Sequence, residues 1–311
     1  MQTSDDKKVI FIGGTAYSGS TFLDMVLANA PDGFSCGEVN ALFYPYRKHH
    51  LNPVCGCGEA ACTLWREVKK GGVKRLYQTI FELCPEVNIV VDSSKDPNWI
   101  RERSNELREA GISVENILIW KTPEEFFASR SKRGKAKGWE REWVNYHRYY
   151  FSQIENWISL PYKQLAASIE VLEQLCNLIG IPFFDGKEEY WNKKHHTLFG
   201  NTSAKIHLYD KQSTSYKQCQ RNLHSSVEEE SSKQIKHRAV YYNTFGLPGE
   251  KINLKPVTRK ISEILLSTAM LKSENFSSEI KGDLIRSEAG ILYILYQHLR
   301  RVYNKKRTIA N

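Results

Sequence analysis

The sequence predicts an α/β protein in which a parallel sheet is flanked by helices and followed by a C-terminal helical extension. Two observations predict it. Apolar runs at Lys8 to Gly13, Asn88 to Asp92 and Asn116 to Trp120 each stop at a polar or glycine-bearing turn, as strands buried on both faces do. Each is followed by a stretch patterned as a helix, and strands alternating with helices imply a parallel sheet covered on both sides, with ligands at the carboxyl ends of its strands.

Taken in order, Lys8 to Gly13 is a strand ending in glycine, and Ser20 to Asn29 is a helix with Phe22, Leu23, Val26 and Leu27 at helical spacing. Asn88 to Asp92 is a buried strand, followed by a loop and a charged helix from about Asn98 to Ala110. Asn116 to Trp120 leads to a helix near Pro123, a residue suited to a first helical turn. Trp139 to Trp157 reads as a helix, Ile158 to Tyr162 as a short strand, and Ile169 to Ile179 as a helix closed by Gly180. The polar, poorly patterned stretch Gln212 to Lys236 reads as a surface loop or lid.

The division expected is one domain over residues 1–249 and a helical extension over 250–311 packed on it. Within the extension, Val257 to Leu271 and Asp283 to Tyr303 read as helices. The second has an apolar stripe through Ile291, Leu295, Leu299 and Val302 and a basic end. A cap or homodimer surface is the plain reading, and a membrane-surface helix the sharper one.

The chain has 311 residues, of which 41% are apolar and 25% charged, enough for one substantial core. Its formal charge of +9 points to an anionic partner such as phosphates, sulfates, acidic glycans or anionic headgroups. No run approaches the roughly 20 apolar residues of a membrane span, and no hydrophobic leader precedes Lys8, so a soluble cytoplasmic protein is expected.

Gly14-Thr-Ala-Tyr-Ser-Gly-Ser20-Thr21 has the spacing of a Walker A loop, in which backbone amides and a helix N-terminus hold phosphate oxygens. The lysine of that loop is missing, because Ser20 stands in its place. Binding of a 5′-phosphate survives this change better than phosphoryl transfer does. The bland alternative is a tight turn between strand and helix. Ser-Gly-Ser-Thr-Phe-Leu after a strand resembles the 5′-phosphosulfate-binding loop of the sulfotransferase family, which is built on a P-loop, nucleotide-kinase-like sheet. The resemblance covers roughly Lys8 to Pro248. It implies a sulfuryl donor, 3′-phosphoadenosine 5′-phosphosulfate, held by Tyr17, Ser18, Gly19, Ser20 and Thr21, with 3′-phosphoadenosine 5′-phosphate as product. The family usually has Arg or Lys where this chain has Tyr17, so a cation is absent from that position.

Sulfuryl transfer needs a base for the acceptor proton and cations for the leaving phosphate. Glu38 is the base candidate: it follows the first helix where a further strand would bring it to the mouth of the site, and it resembles the Gly-Glu of carboxylate-using sulfotransferases of the tyrosylprotein and bacterial types. A solvated glutamate near a turn is the alternative. Lys95, in Asp92-Ser-Ser-Lys-Asp-Pro97, resembles the family's Lys-Asp-Pro lysine on the bridging oxygen and sulfuryl group. Asp92 read as a Walker B carboxylate for magnesium ranks below it.

Lys121 ends the third predicted strand and Ser129 lies about two turns along the next helix, a spacing similar to the family's 3′-phosphate motif with lysine in place of arginine. Tyr162-Lys-Gln-Leu resembles the family's Tyr-Glu-Asp-Leu. His195 to Lys205 resembles the late segment that closes over the nucleotide, which would place Lys205 as a second charge on the 3′-phosphate. His195 and His196 are also the next candidates for a base, although a histidine pair without a carboxylate at motif spacing is more often packing.

Seven cysteines are present, with Cys55, Cys57 and Cys62 close together and Cys36 upstream. These four could supply thiolates to zinc, but the spacing is not a common one. Reduced thiols in a loop beside the substrate are favoured over zinc or a disulfide, and no metal is assigned. The function expected is transfer of a sulfuryl group to a hydroxyl or amine on a small-molecule, lipid or glycan acceptor, with no nucleic acid and no membrane span. A P-loop kinase or ATPase, or a non-catalytic nucleotide binder, are the rivals.

Overall fold

Both faces of the first strand are apolar, so it must be covered on both sides. The structure, a computed structural model, describes residues 7–209, 211–212, 217 and 256–272. Its strands are β1 (Lys8–Gly13), β2 (Gly33–Gly37), β3 (Ile89–Asp92), β4 (Ser113–Trp120) and β5 (Ile158–Pro161). They form one five-stranded parallel sheet in the order β2-β3-β1-β4-β5. Val9 and Phe11 enter one core while Ile10 and Ile12 enter the other. The same alternation divides Leu118 and Trp120 from Ile117 and Ile119 on β4.

After β1 the chain goes to the β2 edge, returns to β3 beside β1, and then crosses to β4 and β5 on the other side. The strand order therefore reverses at β1, and a crevice opens where the loops after β1 and its neighbours diverge.

Several helices begin or end on signals in the sequence. They are α1 (Ser20–Leu27), α2 (Asn40–Phe43), α3 (Leu64–Gly71), α4 (Leu76–Leu83), α5 (Pro97–Glu109), α6 (Pro123–Ser131), α7 (Trp139–Gln153), α8 (Tyr162–Ala167), α9 (Ile169–Ile179), α10 (Thr202–Lys205) and α11 (Pro256–Ser267). The Asp96 carboxylate caps α5 by accepting from the amides of Asn98 and Trp99, with proline at the first turn. Thr122 and Glu125 close a capping box at α6. Gly180, at φ 62°, ends α9.

Among the described residues the predicted strands and helices stand, with ends moved by a few residues. The long helix expected from Trp139 to Trp157 stops at Gln153, because Ile154 is extended and leads to β5. Residues 40–87 hold α2, α3 and α4, three helices of eight residues or fewer that the sequence pattern does not resolve.

From the extension, α11 packs on α7 with Ile261 and Leu265 fully buried in the core, and the Thr258 hydroxyl donates to Glu140. The Met270 amide donates to the Ser159 carbonyl at 2.7 Å, so this segment covers the open edge of β5. The expected helix at Asp283 to Tyr303, and nearly all of the expected loop at Gln212 to Lys236, lie outside the described residues. Among the described residues no helix is long and apolar enough to cross a membrane.

Candidate functional site

At the carboxyl ends of β1, β3 and β4 lies a cleft of about 900 Å³, within the size range of small-molecule sites. Its floor is the loop joining β1 to α1. The chain must turn sharply there, and Gly19 does so at φ 102°, where a Cβ would stand 2.3 Å from the Tyr162 ring. The residue at this position is therefore fixed as glycine by backbone shape and by the ring beside it.

Two hydroxyls in this loop, Thr15 Oγ1 and Ser18 Oγ, are buried and have no hydrogen-bond partner in the protein. An unpaired buried hydroxyl is costly. Gly19 also caps α1 without a side-chain hydrogen bond, so the first turn of the helix presents its amides unscreened. Gly14, Tyr17, Gly19, Ser20 and Thr21 line the cleft, while Ser18 does not. Thr21 Oγ1 accepts from the Asn201 amide at 3.0 Å, which draws the late segment over the loop.

Opposite the loop, Lys95 Nζ donates to Glu38 Oε1 at 2.6 Å and to the Ser93 carbonyl at 3.1 Å. Both side chains are mostly enclosed yet line the cleft. Burial alone would push the Glu38 carboxyl up. The Lys95 charge and hydrogen bond, aided by Arg47 and His50, outweigh it and hold the group below its ordinary value. The Tyr46 hydroxyl donates to the other carboxylate oxygen at 3.4 Å.

Backbone shape puts this pair in place. Lys95 sits in the left-handed region at φ 63°, and its carbonyl accepts from the Tyr146 hydroxyl at 2.8 Å. That same hydroxyl oxygen accepts from the Gly14 amide at 2.6 Å, so one tyrosine from α7 ties the loop after β3 to the loop after β1. Glu38 follows Gly37, which has φ 65°, and a Cβ there would stand 2.0 Å from the Leu198 carbonyl. That close approach lets Leu198 pair with the end of β2: its amide donates to the Cys36 carbonyl at 3.0 Å and its carbonyl accepts from the Glu38 amide at 2.9 Å.

The structure joins Lys121 to Ser129, as the spacing predicts. Lys121 Nζ donates to Ser129 Oγ at 3.1 Å and to the Tyr17 carbonyl at 2.7 Å, and it lies 4.4 Å from the centre of the Tyr162 ring. Burial first, and the neighbouring Arg133 charge second, lower the pKa of this ammonium.

Three expectations meet a different geometry. Lys205 ends α10, and although Thr202, Ser203 and Ala204 line the cleft, Lys205 does not. A helix of one turn offers only part of its circumference to a wall, and spacing from Gly200 does not say which part. His195 is buried with Nε2 on the Tyr190 carbonyl at 3.0 Å, and burial lowers its pKa to about 4, while His196 faces cysteine sulfurs. Neither histidine lines the cleft. Asp92 accepts from the Tyr77 hydroxyl, the Trp99 ring nitrogen, and the Ser94 amide and hydroxyl, so both carboxylate oxygens are engaged by the protein rather than offered to magnesium.

The sequence reading missed Arg133 and Lys135. The Arg133 guanidinium lies 4.1 Å from the centre of the Tyr17 ring, and Lys135 Nζ lies 3.3 Å from the Tyr17 hydroxyl. The position that lacks a cation in sequence is thus flanked by two of them in space. The basic run from Arg130 to Lys137 was the available signal. Also missed was Asp24 on α1, wholly buried, which accepts from the Ser35 hydroxyl and the Gly37 amide. Burial raises its pKa to about 7.

Fold and site together define a parallel α/β protein with a glycine-turned loop and a carboxylate–lysine pair at the reversal of strand order. No family model matches the chain, and no curated protein matches its sequence. A solved structure that matches is the sulfotransferase domain from the Synechococcus PCC 7002 olefin synthase, 13% identical, covering 86% of this chain and 97% of that one, with a TM-score of 0.49.

Proposed function

We propose that this protein transfers a sulfuryl group from 3′-phosphoadenosine 5′-phosphosulfate to a hydroxyl or amine. The observation that carries the reading is the Glu38–Lys95 pair, which faces Gly19, Ser20 and Thr21 at the start of α1 across one cleft. The residues fit such a nucleotide: loop amides and hydroxyls for the 5′-phosphate, Lys121 with Ser129 for the 3′-phosphate, and Arg133 beside Tyr17 as a further cation.

Bound in the cleft, the nucleotide would supply the sulfuryl group and leave through its 5′-phosphate oxygen. Glu38 takes the proton from the acceptor oxygen or nitrogen as that atom bonds to sulfur. Lys95 and the amides of the Ser18 to Thr21 loop meet the negative charge that collects on the departing phosphate oxygen as its bond to sulfur breaks. Lys95 thus has two anionic partners to choose between. When it turns from Glu38 to the donor, Glu38 loses the charge that keeps its pKa low, and burial then acts to make it a stronger base.

A kinase or ATPase fits less well, since Ser20 stands where the Walker lysine would be and Asp92 is fully engaged. The cleft wall beyond the pair carries Tyr44, Tyr46 and Arg47, and there a small-molecule, lipid or glycan acceptor would meet aromatic rings and a positive charge. The test is transfer of labelled sulfate from the donor to a panel of hydroxylated and amino acceptors. Transfer that depends on Glu38 and Lys95 is expected. Binding of the nucleotide with no transfer to any acceptor class, together with phosphate release from ATP and magnesium, would overturn the reading.

A further inference from the structure

Away from the cleft, Cys55, Cys57, Cys62 and His196 bring one ligand atom each to a common point, all lying within 4.8 Å of one another. From this cluster we infer that the protein holds a zinc ion in a Cys3His site. A tetrahedral zinc with sulfur at about 2.3 Å and nitrogen at about 2.0 Å sets neighbouring donor atoms about 3.5 to 3.8 Å apart. Cys55 Sγ and Cys62 Sγ lie 3.3 and 3.6 Å from His196 Nδ1. His196 offers the thiols two acceptors, its Nδ1 and its carbonyl, which lies 3.5 Å from Cys55 Sγ, yet three sulfurs converge on the one ring nitrogen, more than these two acceptors serve. The three thiols are free of disulfides.

The local chain is built to hold these donors. Gly58, at φ 76°, turns the segment between Cys57 and Cys62, and its amide donates to the Cys55 carbonyl at 3.3 Å. The Gly56 amide donates to the Thr197 carbonyl at 2.9 Å, and a Cβ on Gly56 would stand 2.5 Å from the Thr197 methyl group. His196 is oriented by Trp65, whose ring nitrogen donates to its carbonyl at 2.5 Å, and by Phe34, stacked on the imidazole at 7°. Cys36, the fourth donor the sequence suggested, is instead buried in the core on β2, and the histidine takes its place.

Binding would release the thiol protons of Cys55, Cys57 and Cys62 to solvent as each sulfur bonds the metal, with His196 bound as neutral imidazole. The ion would clamp residues 55–62 to the extended segment at His196. Two residues further on, Leu198 pairs with Cys36 and Glu38. The site is therefore a structural clamp that steadies the backbone carrying Glu38.

The test uses the full chain, expressed without a histidine tag and purified without chelators. Elemental analysis should find about one zinc per chain. Anaerobic exchange for Co2+ should give tetrahedral visible bands and a thiolate-to-cobalt charge-transfer band in the near ultraviolet. Cys57→Ser and His196→Ala should each lower zinc affinity at least tenfold, and Cys84→Ser should leave it unchanged. Should the variants fail to fold, metal content and the cobalt spectrum of the wild-type chain decide the matter. Reduced, folded protein that takes up no zinc and shows no charge-transfer band, or a mass lower by two hydrogen atoms from a disulfide among the three cysteines, would overturn the assignment. Undiminished zinc affinity in both folded variants would do the same.

Discussion

Lys95 Nζ and Glu38 Oε1 stand 2.6 Å apart although 57 residues separate them, because the loops after β2 and β3 end side by side at the mouth of one cleft. A carboxylate and an ammonium so placed can divide labour in a group transfer, one taking a proton and the other meeting charge on a leaving group.

For Glu38→Gln, turnover should fall about 10² to 10⁴-fold, the usual worth of a general base, with nucleotide affinity nearly unchanged. Steady-state kinetics with a verified acceptor, under conditions where chemistry limits the rate, together with calorimetric binding of 3′-phosphoadenosine 5′-phosphate, checks this. Full turnover in the variant would place the base elsewhere.

Lys95→Ala should lower turnover and also weaken binding of the intact donor, since Lys95 is proposed to touch the transferred group. It should further move the acid limb of the pH–rate profile of the free enzyme upward. Lys95 is the largest influence holding the Glu38 pKa down, and without it burial raises the value. An acid limb that stays in place would show that Glu38 is not the titrating base.

Lys121→Ala should weaken binding of the 3′,5′-bisphosphate by about 1.5 to 3 kcal/mol, the range for hydrogen bonds to a charged group, while affecting adenosine 5′-phosphate much less. Wild-type protein should prefer the bisphosphate to ATP, with or without magnesium. Equal affinity for adenosine 5′-phosphate and the bisphosphate would remove Lys121 and Ser129 from the 3′-phosphate role.

Asp24 makes stability depend on pH. Its pKa rises from 3.8 to about 7 on folding, so the folded chain holds this proton more tightly than the unfolded one. That stabilisation is complete below about pH 4, falls as pH rises through the folded value near 7, and is absent above it. At about 1.4 kcal/mol per pKa unit the swing is a few kcal/mol. Asp24→Asn can keep its carbonyl oxygen on the Gly37 amide and donate its NH2 to the Ser35 hydroxyl oxygen, and it should remove the Asp24 share of the slope. Denaturant unfolding of both proteins from pH 4 to 8 checks this, and a constant difference between them would refute it.

What the sequence determined by itself is local and periodic. Apolar runs and helical spacing marked β1, β3, β4, β5 and the helices after them, since strand and helix each impose a period that burial makes visible. The order of strand, loop and helix was enough to expect ligands at the carboxyl ends of these strands, where the cleft lies. It likewise paired Lys121 with Ser129, because both lie within one strand–helix unit. Relations between distant segments were decided only by the tertiary structure. Arg133 and Lys135 reach Tyr17 because α6 ends beside the loop after β1, and His196 reaches the cysteines because Gly37 lets the Leu198 segment lie against the end of β2. That Lys205 stands outside the cleft lining, and that Asp24 is one acid buried among apolar residues, was not legible for the same reason. A sequence states the order of side chains, whereas the packing of elements far apart in the chain decides which of them share a wall and which lose their water.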